Sequence, residues 1–118
     1  GRAYIAFCPA AERKYILRVL ARSAHPEDRA ARQPEEVREI IARVRRNGFA
    51  ERSPDAQPKS ANTFSVPIRL GGKVLATIGV SYFISAMPKT KAIASYVPPL
   101  LDLAKKIEAS VADLTRVR

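Results

Sequence analysis

The side chains able to do chemistry in this sequence form two sparse sets. Nucleophile and base candidates reduce to Cys8 and His25, a pairing that could in principle activate a thiolate. Cys8 lies in an apolar run and His25 in a polar one, so a buried inert thiol and a surface imidazole are expected. One cysteine and one histidine leave no Cys/His zinc site and no intramolecular disulfide. Acidic residues fall in helix first turns and loops, where dipole compensation or solvation accounts for them. Gly71-Gly72 sits in no GxGxxG or GxxxxGKS/T pattern and reads as a turn rather than a phosphate cradle. No catalytic residue, metal or cofactor is implied, and an enzyme is not expected.

The second set is a row of hydroxyls on a hairpin. Two alternating runs, Thr63 to Leu70 and Val74 to Phe83, flank Gly71-Gly72-Lys73. A two-residue loop with regular pairing would mix polar and apolar residues on each face. One further unpaired residue, in a three-residue loop or a bulge, gathers Phe64, Val66, Ile68 and Leu70 with Val74, Ala76, Ile78 and Val80. A one-residue slip exchanges the faces, so the hydrophobic pattern selects this second register. The opposite face then carries Thr63, Ser65, Pro67 and Arg69 with Leu75, Thr77, Gly79 and Ser81. Such a face either meets water or lines a cavity needing hydrogen-bond donors. Arg69, near the turn, is expected in solvent.

Helices must position that hairpin. Residues 2 to 7 form a compact apolar run ended by the Cys8-Pro9 step, and Pro9 opens a helix to about Arg22. Ser23 to Gln33 reads as a loop. Val37, Ile40, Ile41 and Val44 then fall at helical spacing between Pro34 and the Asn47-Gly48 stop. A short strand at Phe49-Ala50 and a loop over 51 to 62 lead into the hairpin. Pro88 to Tyr96 reads as a short helix, separated by Pro98-Pro99 from a longer one bearing Leu100, Ala104, Ile107, Val111 and Leu114. The order predicts an α+β fold with an antiparallel sheet flanked by helices.

The chain has 118 residues, a length suited to one domain, with 47% hydrophobic and 27% charged residues, the mixture of a packed globule. Twenty-one Lys plus Arg against eleven Asp plus Glu give a formal charge of +10. That balance favours an anionic partner: nucleic acid, an acidic surface or a carboxylate. No run approaches the roughly 20 apolar residues of a membrane span, and cysteine usage suits a reducing cytoplasm. The start lacks an initiator Met and opens on a helix-like run, as a fragment of a longer protein would.

GRAYIAFCP at 1 to 9, IIARVRRNGFA at 40 to 50, SVPI at 65 to 68 followed by KVLATIGVSYF at 73 to 83, and LDLAKKIEAS at 101 to 110 together resemble the C-terminal effector-binding domain of the IclR family of bacterial transcriptional regulators. The resemblance implies a GAF-like fold that binds a small metabolite, often a carboxylate, and that assembles into homo-oligomers. It also implies an upstream winged helix-turn-helix domain that contacts DNA, and opening strands of the effector domain before Gly1, leaving an incomplete sheet here. Effector contacts in such domains map to Thr63, Gly79 and Ser81, all on the polar hairpin face, with Ser65 and Thr77 beside them. The acid that the family places in the loop after the GFA-like segment is replaced by Arg52 or Ser53. Arg52 is then the candidate partner for an anionic effector, and Gly79 would make room for a bulkier one. The GRAYIAFC opening is similar to regulators of hydroxyphenylpropionate-type aromatic-acid breakdown. The rival class is a small basic nucleic-acid-binding α+β module.

Overall fold

The structure, a computed structural model, describes residues 1–116. Helices α1 (Arg2–Phe7) and α2 (Ala10–Ala21), a 3-10 segment (Pro26–Arg32) and helix α3 (Pro34–Asn47) come first. Strands β1 (Ala50–Glu51), β2 (Ala61–Leu70) and β3 (Lys73–Phe83) follow, then a 3-10 turn (Ile84–Ala86) and helix α4 (Lys89–Arg116). The strands form an antiparallel sheet in the order β1-β2-β3.

The register carries the extra unpaired residue as a bulge. Phe64 lies opposite Val80, Val66 opposite Ile78 and Ile68 opposite Ala76, whereas Arg69 lies opposite Val74, which leaves Leu75 without a partner. The loop itself is the two-residue Gly71-Gly72, both at positive φ (59° and 79°), as a type I′ turn requires. The bulge corrects one assignment. Val74 shares a face with Arg69 instead of extending the Phe64 row, yet it is still buried.

Phe64, Val66, Ile68 and Tyr82 make the main core with Ala92, Val97, Leu100 and Ala104 of α4. Phe64 packs edge-on against Phe49 with ring centroids 5.5 Å apart. Burial fades across β3, where Ile78 and Val80 are half-buried and Ala76 is exposed. The cause is position, since β3 is the outer strand and α4 lies mainly over β2.

Helix α4 is continuous through Pro98 and Pro99, which corrects the expected division into two helices. Each proline removes one helical hydrogen bond. Both prolines face solvent, as do Ala94 and Ser95, whose carbonyls lose their donors, so water can satisfy them. Meanwhile Val97 and Leu100 hold the helix to the sheet on either side. The Ser23–Gln33 stretch also departs from a plain loop, because Pro26–Arg32 winds into 3-10 turns; these need only local i to i+3 bonds and no apolar stripe. The short strand falls at Ala50–Glu51, one residue later than expected.

On the other face of the sheet, Ala3 and Ala6 of α1 pack with Val44 of α3 and Ala50. Two arginines secure α1 at its C-terminus. Arg13 Nε–H donates to the Ile5 carbonyl at 2.7 Å and Arg45 Nε–H to the Ala6 carbonyl at 2.7 Å, satisfying carbonyls that a helix end leaves open. Tyr4 Oη–H donates to the Glu12 carboxylate, a tie between α1 and α2 that raises the Tyr4 pKa. Arg69 is exposed, as expected, and its guanidinium lies over the Phe7 ring at 4.6 Å.

Two stability outcomes follow from this packing. Val66 is fully buried, so Val66→Asp should cost on the order of 4 kcal/mol in denaturant unfolding, against a much smaller loss for Val66→Ala. Arg45→Met keeps the stem but not the cap and should cost about 1–2 kcal/mol by the same measurement.

Candidate functional site

A cavity of about 660 Å³ lies between β2 and the layer formed by α1, α2, the 3-10 segment and α3. Its apolar wall comes from Ile5, Leu17, Leu20, Val37, Ile40 and Ile41. These residues are the inward stripes of short helices whose opposite sides are wet. In α2, Leu17 and Leu20 face the cavity while Tyr15 and Val19 are 66% and 52% exposed. The polar wall holds Arg2, Asp28, Glu51, Arg52, Ser53, Gln57, Thr63 and Ser65. A mostly apolar concavity with a few convergent polar groups is the ordinary form of a small-molecule site.

The hairpin residues divide. Thr63 and Ser65 of β2 line the cavity. Thr77, Gly79 and Ser81 of β3 are exposed and lie outside its lining. Ser81 still reaches the site through its neighbour, because its Oγ lies 2.7 Å from Thr63 Oγ1 across the paired strands. Gly79 sits opposite Ser65, where an added Cβ would stand 3.0 Å from the Phe64 carbonyl oxygen and 3.4 Å from Ser65 Cβ. The strand pairing itself therefore accounts for a glycine there, since the nearest obstacle is backbone and cannot swing aside.

Arg52 leaves β1 into the loop. Its backbone N–H donates to the Thr63 carbonyl at 2.9 Å, and its guanidinium donates to the Gln57 carbonyl within the same loop. Arg52 and Thr63 are thereby held as neighbours on one wall.

Arg2 is the residue that sequence reasoning passed over. It is half-buried and faces the cavity from the first turn of α1. Burial draws its pKa below the usual arginine value, Glu36 opposes that shift, and Arg43 adds to it. No local pattern marks this role, because Gly1-Arg2-Ala3 reads only as the start of a helix.

A second cavity of about 560 Å³ adjoins the first and shares Arg2, Ile40, Glu51, Arg52, Ser53 and Ala56 with it. Among the described residues no group of three or more His, Cys, Asp or Glu could hold a metal ion. No helix of the described residues is long and apolar enough to cross a membrane.

Residues 1–109 match the family model for bacterial transcriptional regulator IclR C-terminal domains. The chain belongs to that family. Its fold is similar to the IclR of Thermotoga maritima (TM-score 0.74, 20% identity, 92% of this chain and 43% of that one). It is also similar to an IclR family transcriptional regulator from Brucella abortus (TM-score 0.72, 19% identity, 94% and 41%). A C-terminal domain structure of a transcriptional regulator from Vibrio cholerae gives a TM-score of 0.64 at 20% identity, covering 88% of this chain and 57% of that one. The chain thus spans less than two thirds of each of these structures.

Cys8 takes no part in the cavity. It is buried, its Sγ–H points to the Ile5 carbonyl at 3.5 Å, and burial pushes the thiol pKa up against the opposing pull of Arg13. A raised pKa means less thiolate at a given pH, and thiolate is the reactive form. Iodoacetamide should therefore label native Cys8 far more slowly than the unfolded chain at pH 8, with the rate rising only above the pH at which free cysteine responds.

Proposed function

We propose that this chain is the ligand-sensing part of an IclR-type transcriptional regulator. It takes a small carboxylate, and specifically an aromatic acid, in the cavity between β2 and the α1–α3 layer, and binds it without turnover. The observation that carries this reading is the lining: an apolar wall large enough for a ring faces Thr63, Ser65 and Arg52. Hydroxyl and guanidinium donors suit a carboxylate, while Leu17, Leu20, Val37 and Ile41 suit the ring. Gly79 and Thr77 belong to the proposal only as parts of the strand that holds β2 in place, and Ser81 as the partner of Thr63.

DNA binding through an upstream winged helix-turn-helix domain, assembly into homo-oligomers and a cytoplasmic setting complete the proposal, on the grounds of family membership. Calorimetry of the full regulator with 3-(4-hydroxyphenyl)propionate, benzoate and glyoxylate tests the ligand class. An aromatic acid should bind more tightly than glyoxylate. Thr63→Val and Ser65→Ala should each weaken it by about 1.5 kcal/mol, the worth of a hydrogen bond to a charged group, and Ser81→Ala by less. Undiminished affinity in both Thr63→Val and Ser65→Ala would put the ligand elsewhere, and a preference for glyoxylate would overturn the aromatic assignment.

A further inference from the structure

We propose that the wall shared by the two cavities is an anion subsite, where the guanidinium groups of Arg2 and Arg52 together hold the carboxylate of a ligand whose apolar body fills the larger cavity. The inference rests on that cavity being the effector site, and it adds Arg2 as the residue that selects the acid.

The geometry is a separation of two chemistries. Leu17, Leu20, Val37 and Ile41 line the larger cavity alone, whereas Arg2 and Arg52 line both. Beyond that shared wall the smaller cavity is cationic: Arg2, Arg43, Arg52, Lys59 and Lys89 face one carboxylate, Glu51. Glu51 is already paired with Lys89 at 3.2 Å. The positive surplus is therefore concentrated at the smaller cavity, while the Leu17, Leu20, Val37 and Ile41 stripe belongs to the larger one, a layout that orients an amphiphilic anion.

Among the described residues the half-buried guanidinium of Arg2 has no ion-pair partner. The carboxylates whose fields reach it are Glu36, Asp55 and Glu51. Asp55 is paired with Arg29 at 3.2 Å. Withdrawing a charge from water without a partner is costly, and a ligand carboxylate that supplies the partner recovers that cost on binding. Arg52 has donors to spare, because one contact to the Gln57 carbonyl leaves most of its five N–H groups free to bind. Two planar guanidinium groups offer a carboxylate paired, charge-assisted hydrogen bonds.

The experiment uses the full regulator with 3-phenylpropionate and its neutral isostere 3-phenylpropanamide, measured by calorimetry together with thermal unfolding. The wild type should prefer the acid by at least about tenfold, as expected for a charge-assisted contact. Arg2→Gln and Arg52→Gln should each reduce that preference to within about threefold, weakening the acid much more than the amide. Arg2→Gln should not lower the melting temperature of the ligand-free protein, because it removes an unpaired charge. Arg46→Gln, an exposed cation outside both linings, should keep the full preference.

Equal binding of acid and amide by the wild type would overturn the anion subsite and leave the cavity reading intact. Binding of neither probe would overturn both. A preference retained in Arg2→Gln, or lost equally in Arg46→Gln, would also overturn the assignment. So would a fall in melting temperature without change in preference, which would make Arg2 a structural residue.

Discussion

The pairing of β2 with β3 is the constraint on which the rest of the molecule depends. Alternation puts Phe64, Val66 and Ile68 on one face of β2 and Thr63 and Ser65 on the other, and one residue of displacement, taken up at Leu75 opposite the Ile68–Arg69 step, brings Val80, Ile78 and Ala76 opposite the first set. The first face anchors α4 and builds the main core. The second becomes the floor of the cavity. Moving the register by one position would place hydroxyls in the core and Val66 in the site, so fold and site rest on the same hydrogen-bond ladder. Gly79 belongs to this constraint, since a Cβ there would stand 3.0 Å from the Phe64 carbonyl oxygen and β2 would have to give way.

Basic residues make the chain strongly cationic, but several are engaged by the fold. Arg13 and Arg45 cap α1, Arg69 stacks on Phe7, Arg29 pairs with Asp55 and Lys89 with Glu51. This distribution explains how a charge of +10 coexists with a small sheet-and-helix fold: cations neutralise helix carbonyls and cover aromatic surface as well as facing water. The portion that gathers around the smaller cavity is a local feature and not a stripe along one element, which is the pattern that nucleic-acid binding would call for. The two caps also set the site indirectly. With α1 held at its C-terminus, its opposite end presents Arg2 to the cavity, and Ile5, one turn later, lines it too.

Local rules made much of the fold legible in the sequence. Val37, Ile40, Ile41 and Val44 with Gly48 defined α3, and alternation with Gly71-Gly72 defined the hairpin, because both signals are periodic and the periods of helix and strand differ. The prolines of α4 misled for a physical reason. Their cost is local and readable, whereas the packing of Val97 and Leu100 that outweighs it is tertiary. The face of Val74 was also lost, since a bulge can absorb its extra residue at more than one point of a ladder.

By itself the sequence determined α1 to α3, the hairpin and its register class, the polar and apolar faces of β2 and the family, all of which follow from periodicity, turn chemistry and the order of short motifs. It also singled out Thr63, Ser65 and Arg52. Only the tertiary structure decided that Thr63 and Ser65 line a cavity while Thr77, Gly79 and Ser81 do not. Alternation assigns a side chain to a face, but whether that part of the face is roofed depends on where helices distant in sequence come to rest. The same reason hid Arg2: Arg52 is 50 positions away along the chain, and nothing in the neighbourhood of Gly1-Arg2-Ala3 records that the fold brings both to the lining of the same cavities.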